Sequence, residues 1–542
     1  MQRFFGLRGS RLNMATVLLV VAPAYICFGY NLAVAGGLLT LPSFVSQFPQ
    51  VNTIDVTGAQ LKTNTNIQGA SLLLYSLLQV TGNTDMLYYL GLVSSLFTLG
   101  GFFGALFATL LGDWLGRRRV IFIGSAVVII GAALMSSSYS LGQLITSRLV
   151  QGAGTGAITA TVPVWQSEIS GSTHRGSHVV SEGLFIAFGI TASQWIDFGF
   201  YFLGASSVSW RVPLVIQVPL AAMVMATIFF MPESPRWHLR HNKVQEAQEI
   251  LGILRDADPH SERIQREIAE IEVSLEMIGS VSKWDLVRMG EKRNVHRLLL
   301  GIGGQSFSQL CGINSLTFYA TIIFQQRLHL DATQARVLGS CMTFVQIIGA
   351  LGAVLTIDRL GRRVLMLTSS TGMCISMVVL AITGSFVGNQ AAMIVAVVFF
   401  YIFNLCYPYG FLGLTFLYST EVAPPHLRAK ISGLSNCMTW LFNFTVVEVT
   451  PTGFSNISYR YYIIYAVFNF VITLTVFFLF PETNGRSLEE MDEIFMQSKT
   501  ILDAPRIART LPKHSKVERD EDSQKPNAEM FENTANTTNV PE

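Results

Sequence analysis

Apolar residues along this chain gather in long runs, and charged residues are nearly confined to the gaps between them. A helix that crosses a bilayer needs about 20 mostly apolar residues. Twelve segments meet that requirement, at roughly 14–41, 88–111, 120–138, 142–166, 180–202, 210–231, 296–324, 335–357, 364–386, 391–418, 430–450 and 460–480. Six precede Pro232 and six follow Asn294. The pattern predicts an all-α membrane protein with twelve transmembrane helices. Its predicted parts are an N-terminal segment 1–13, a six-helix bundle 14–231, a linker 232–295, a second six-helix bundle 296–480 and a tail 481–542. Mixed-sign charge at helical spacing predicts surface helices in the linker, such as Glu262–Met277. The polar tail is expected to be disordered after about 499.

Composition agrees. Half of the 542 residues are hydrophobic and 13% are charged, against about 25% charged in an average soluble domain. So few charges cannot cover a soluble multidomain protein. The same numbers exclude a disordered chain, collagen and a disulfide scaffold. The net charge of +2 points to no particular partner, and no nucleic acid is expected. Cys27, Cys311, Cys341, Cys374, Cys406 and Cys437 all fall inside predicted helices, where packing is the default role.

Basic residues set the orientation. With the N-terminus inside, 31 of the 37 basic residues fall on the inner side, among them Arg117–Arg119, Arg359, Arg362, Arg363, Arg428 and Lys430. Lys62, Arg211, Arg327, Arg336 and Arg460 fall outside, and Arg148 lies within a span. Both termini are therefore expected in the cytoplasm, with the plasma membrane the expected location. Segment 43–87 is the long outer loop. The first span follows basic residues, as a signal peptide does, but it is too long for one. Asn456-Ile457-Ser458 is a glycosylation sequon in the last outer loop.

The two halves echo each other. Gly112-Asp113-Trp114-Leu115-Gly116-Arg117-Arg118-Arg119 follows the second span, and Ile357-Asp358-Arg359-Leu360-Gly361-Arg362-Arg363 follows the eighth. After the fourth span of each half an acid precedes an arginine by seven positions: Glu168 with Arg175, and Glu421 with Arg428. A duplicated six-helix unit is the signature of a transporter with two rocking halves and a substrate site between them. Asp113, Arg117, Arg118, Glu168 and Arg175, with Asp358, Arg362, Arg363, Glu421 and Arg428, are the candidate cytoplasmic gate. Charge pairs among them would hold the inner side shut. Each pair is weak alone, at about 0–1 kcal/mol, but a network can bias a two-state equilibrium.

These motifs, with Arg148, Val162-Pro163, Arg175-Gly176, Pro232-Glu233-Ser234-Pro235-Arg236-Trp237, Gln309-Leu310-Cys311-Gly312-Ile313-Asn314 and Pro481-Glu482-Thr483-Asn484-Gly485-Arg486-Ser487-Leu488-Glu489-Glu490-Met491, resemble the sugar porter branch of the major facilitator superfamily. The resemblance covers about residues 14–495. Trp195-Ile196-Asp197-Phe198-Gly199 and the polar tail resemble fungal members. It implies two pseudo-symmetric bundles, a cytoplasmic helical linker, alternating access, a small-molecule sugar substrate and no cofactor. By position it implies a site of Gln305, Gln309, Asn314, Phe318, Tyr319, Gln346, Phe416, Trp440 and Asn443. Amides offer a neutral polyol both donor and acceptor without a buried charge, and aromatic rings cover the apolar sugar faces.

Several positions depart from the family. Gly183, Ser308, Gln346, Phe416 and Thr439 stand where it has Gln, Gln, Asn, Trp and Asn. Two readings stay open: a hexose carrier with an altered site, or a carrier of a larger or less hydroxylated molecule, efflux included. The family's proton symporters have an Asp after Phe-Gly-Tyr, paired with the span-four Arg. Here the run is Phe28-Gly29-Tyr30-Asn31, and Arg148 is kept. Asn cannot carry a proton, so an uncoupled facilitator is expected. Glu182 and Glu448 are expected near helix ends at headgroup level, and proton coupling through them is the alternative.

Other classes fit less well. No Gly-x-x-x-x-Gly-Lys-Ser/Thr loop for phosphate occurs, which excludes an ATP-driven pump. The nine histidines are scattered, so no metal site and no enzyme activity are expected. The tail of about 50 residues is short for a sugar sensor. A monomer is expected.

Overall fold

The computed structural model describes residues 6–38, 41–49, 95–170, 175–279, 286, 288–326, 330–386, 388–424, 427–486 and 488–512. The first half contains α1 (Gly9–Leu38), α2 (Ser95–Leu115), α3 (Arg117–Ser136), α4 (Leu141–Ile169), α5 (Arg175–Tyr201) and α6 (Val208–Phe230). Three linker helices follow: α7 (Pro235–Arg240), α8 (Val244–Arg255) and α9 (Glu262–Gly279). The second half contains α10 (Asn294–Leu310), α11 (Ile313–Gln326), α12 (Ala332–Leu360), α13 (Arg362–Thr383), α14 (Gln390–Val422), α15 (Arg428–Ile457) and α16 (Tyr461–Leu479). Two short helices close the described chain, α17 (Leu488–Gln497) and α18 (Ala504–Thr510).

Eight of these helices are long and apolar enough to cross a membrane by length and composition. With α4, α5, α10–α11 and α15 they make up the twelve-span fold. Large apolar side chains face outward, such as Leu110 (69% exposed) and Leu355 (67%). Buried polar side chains such as Asn31, Arg148, Gln217 and Gln346 face inward. Apolar surface outside and polar groups within is the arrangement that lipid demands. The protein is a multi-pass membrane protein.

The two halves use the same pairings. In the first, α1 packs on α5, α2 on α4, α3 on α4, and α3 on α6. In the second, α10 packs on α15, α12 on α14, α13 on α14, and α13 on α16. Small residues allow the closest approaches. A Cβ on Gly152 or Gly156 of α4 would strike the backbone of α2 at Phe97 or Gly101. Between the halves, α5 lies on α12, α2 on α15, and α1 on α11. With six spans per half, the outer ends of α1 and α16 share one side, called the termini face below. The opposite side is the far face.

Several expectations change. The seventh span is broken: α10 ends at Leu310, Gly312 turns to φ +94°, and α11 begins at Ile313. The Tyr465 ring fills the space where a Gly312 side chain would stand. The tenth span carries a π-helical turn at Pro408–Leu412, since Pro408 cannot continue the α-helical ladder. Arg336, counted on the outer side, is buried in the first turns of α12, 3% exposed. Asn456 stands exposed in the last turn of α15 rather than in a loop. Helical structure continues past 499 to Thr510, because Arg486 donates to Ala508 O at 2.6 Å and Ala504 and Ala508 are buried. Residues 513–542, most of the outer loop and the first part of the second predicted span lie outside the described residues.

Candidate functional site

On the termini face the duplicated motif forms the same assembly twice. Gly116 and Gly361 take φ of +88° and +90°, a turn open to glycine, and start α3 and α13 at once. A carboxylate caps each new helix. Glu233 accepts from the Arg117 and Arg118 N–H groups at 3.2 and 3.1 Å. Glu482 accepts from those of Arg362 and Arg363 at 2.8 and 3.0 Å. An anion at a helix N-terminus meets unpaired N–H groups and the positive end of the dipole. Burial pushes the Glu233 carboxyl above its ordinary value, although the Ser234 and Arg118 N–H groups and the Arg118 and Arg117 charges pull the other way.

The arginine side chains then reach sideways. Arg117 donates to Glu168 at 3.1 and 3.2 Å and to Asp113 at 2.9 Å. Arg362 donates to Glu421 at 3.2 and 2.9 Å and to Asp358 at 3.2 Å. Arg118 donates to Phe229 O at 2.6 Å, and Arg363 bonds Phe477 O in the same way. Arg240 of the linker closes on Asp113 at 2.5 Å. Every one of these pairs stays within one half or joins it to the adjoining linker or tail. Arg428 opens α15 and Arg175 opens α5, and the Arg175 side chain lies outside the described residues. Glu233, Glu482 and Arg240 were not among the candidates. The two glutamates had a signal, since Pro-Glu follows both the sixth and the twelfth span.

A second cluster lies deep between the helices. The break after α10 brings Gln309, Asn314 and Asn443 together. Asn314 Nδ2 donates to Gln309 Oε1 at 2.5 Å and to Asn443 Oδ1 at 3.0 Å. Gln305 Oε1 accepts from Thr439 at 2.9 Å and from Thr415 at 3.4 Å. Trp440 bridges the halves: its Nε1 donates to Thr159 of α4 at 3.3 Å, and its ring lies 5.4 Å from Phe28 and 5.7 Å from Phe97. Gln346 turns elsewhere, donating to Asn404 of α14 at 2.6 Å. Phe416 is half-buried on α14, and the Phe318 and Tyr319 side chains lie outside the described residues. Thr159, Thr415 and Asn404 gave no sequence signal, because a Thr or Asn inside an apolar run reads as helix filler.

The Asn31 and Arg148 positions adjoin as expected. Arg148 Nη1 donates to the Asn31 backbone carbonyl at 3.5 Å, and its guanidinium lies 4.6 Å over the Phe97 ring. The Asn31 side chain turns back to Cys27 O at 3.0 Å. Glu182 departs from its expected place. It is fully buried beside the Tyr25 hydroxyl of α1, within the protein rather than at headgroup level. Glu448 lies partly buried beside Ser95 of α2.

A family model described as "Sugar (and other) transporter" matches residues 17–495. The chain belongs to this sugar transporter family. It is 32% identical over 518 residues to the sugar transporter STL1 of Saccharomyces cerevisiae, covering 94% of this chain and 86% of that protein. It is 33% identical over 519 residues to the major facilitator superfamily transporter mfsA of Aspergillus fumigatus, covering 94% and 91%. Among solved structures, the proton:xylose symporter XylE bound to 6-bromo-6-deoxy-D-glucose matches with a TM-score of 0.73 at 20% identity, over 90% of this chain and 100% of that one. That likeness establishes the major facilitator fold. As a member of the sugar transporter family the protein is a transporter, not an enzyme.

Proposed function

We propose that this sugar transporter carries a hexose-like monosaccharide through the passage lined by Gln305, Gln309, Asn314, Trp440 and Asn443. The supporting observation is the chain of neutral amides at the break between α10 and α11. It presents donors and acceptors to a polyol with no buried charge to desolvate. The basic residues support a plasma-membrane orientation with both termini in the cytoplasm. The Arg117–Glu168 and Arg362–Glu421 assemblies hold each half rigid while the halves rock, so their part in the inner gate is to keep two bodies intact. Asn456 is exposed at the end of α15, a position open to glycosylation. The protein acts as a monomer with one substrate passage.

Asn31 supports facilitated transport without a proton. The buried Glu182 favours a second reading, a carrier that takes a proton at that carboxyl. Uptake of a hexose, pentose and polyol panel by cells lacking their own hexose transport tests the substrate. Uptake of a hexose, lost in Gln309→Ala, is the expected result. Proteoliposomes with an imposed pH gradient test the coupling, since accumulation above equilibrium would sink the facilitator.

A further inference from the structure

Three hydrogen bonds between the two halves lie in the middle of the passage and toward the far face. Thr191 of α5 donates to Thr343 O of α12 at 2.9 Å. Higher up, Ser340 donates to Gln194 O at 3.2 Å. Higher still, Arg336 Nη1 donates to Gly37 O of α1 at 3.1 Å. Because α5 and α12 run antiparallel, these positions climb together toward the far face. Nearer the termini face, Gly433 packs on Thr109 and Gly183 on Gly413, and Cys437 bonds the Thr109 side chain.

At the top of this ladder stand two opposite charges. Asp197 belongs to the first half and is 1% exposed, and Arg336 belongs to the second and is 3% exposed. Burial is the larger influence on both groups, and the attraction between them works against it. Both lie against Gly37. The Asp197 carboxyl occupies the space a Gly37 side chain would need, while the Gly37 carbonyl takes the Arg336 N–H. The guanidinium also lies 4.4 Å over the Tyr201 ring. Neither Asp197 oxygen has a hydrogen-bond partner. None of the described salt bridges joins one half to the other: they lie within a half or within the linker, or tie these to each other and to the segment after α16.

We propose that Asp197 and Arg336 are positioning residues of the transport cycle, a charge latch across Gly37 that holds the far ends of the halves together. Opening at the far face separates the charges and returns each to water. Closing removes both from water, where their attraction is stronger and a lone charge is costly. The latch thus sets how often the far face opens. The inference rests on the transport reading but needs no particular substrate.

The test places spin labels at the exposed Ala205→Cys and Gln334→Cys, one on each half at the far face, with the labelled native chain as the cysteine control. Distances between them report far-face opening in the purified protein with no substrate added. Asp197→Asn and Arg336→Gln are each expected to raise the open fraction at least about fivefold. Arg336→Lys, which keeps the charge, is expected to stay near the native distribution. The double variant Asp197→Asn/Arg336→Gln is expected to open less than the product of the two single effects. It buries no charge, so it decides the matter if a single variant fails to fold. A native distance distribution in the folded double variant overturns the latch, as does full additivity of the single effects. Loss of thermal stability without a change in distances also overturns it, because that marks a purely structural pair. Absence of sugar uptake would defeat the substrate reading and leave these distances as they are.

Discussion

Arg117 and Glu168 meet in a two-pronged contact, with Nε and Nη2 donating to the two carboxylate oxygens at 3.1 and 3.2 Å. Arg362 and Glu421 repeat it at 3.2 and 2.9 Å. Both arginines are at most a tenth exposed, so each contact is partly shielded from water. Removing Arg117 takes a buried cation from the Glu168 carboxylate, and removing Glu168 leaves Arg117 with the half-exposed Asp113. Glu168→Gln is expected to cost about 2–3 kcal/mol and Arg117→Ala about as much. The double variant is expected to lose little more than the worse single one. Thermal unfolding of the purified protein checks this, and full additivity would show that the two residues act separately.

Gly101 of α2 lies directly beneath the Trp440 indole of α15, and a Cβ there would overlap the ring. Gly101→Val must push the two halves apart or turn the indole away, at a cost of about 1–3 kcal/mol. The expected outcome is protein at normal abundance in the membrane with uptake reduced at least about tenfold. Uptake per molecule, measured beside abundance, checks it.

Gln305 accepts hydrogen bonds from Thr439 and Thr415, which fixes its side chain. Gln305→Leu is expected to weaken apparent substrate affinity about tenfold, equal to about 1.4 kcal/mol. Thr439→Val frees the amide to turn and is expected to cost less. The concentration dependence of uptake separates the two.

Asp492 holds α17 to Arg297 of α10 at 2.5 Å and to Lys292 just before it at 2.8 Å. Burial pushes its carboxyl up, but the Arg297 and Lys292 charges and hydrogen bonds outweigh burial and hold it below the ordinary value. An unfolded aspartate titrates near pH 4. A lowered folded value means that the stabilisation is present above about pH 4 and is lost as pH falls below it. Asp492→Asn is expected to loosen α17 by about 2 kcal/mol at neutral pH. The difference from the native chain should vanish in stronger acid. Hydrogen exchange of the α17 amides checks both statements.

Much of this architecture was legible in the sequence because lipid makes simple demands. Runs of about 20 apolar residues can only be spans, and Asp-Arg-Leu-Gly-Arg-Arg at 358–363, echoing the run at 113–118, marked the duplication. The break at Gly312 was less legible, since hydropathy averages across one residue. The caps Glu233 and Glu482 lay in recognised motifs, but their partners are backbone N–H groups, which carry no sequence signature. Thr439 stood out as a departure, and only its contact with Gln305 shows what it does there. Arg336 read only as an outer-side charge, because sequence cannot tell a buried helix end from an exposed one.

The central claim is that a hexose-like sugar binds among the amides at the α10–α11 break and crosses between the halves. Counterflow in proteoliposomes tests it most directly. Vesicles preloaded with unlabelled glucose should draw in labelled glucose through the native chain. Gln309→Ala, folded and inserted equally well, should draw it in at least about tenfold more slowly. Equal counterflow through the native and Gln309→Ala proteins, or none through the native chain, would contradict the account.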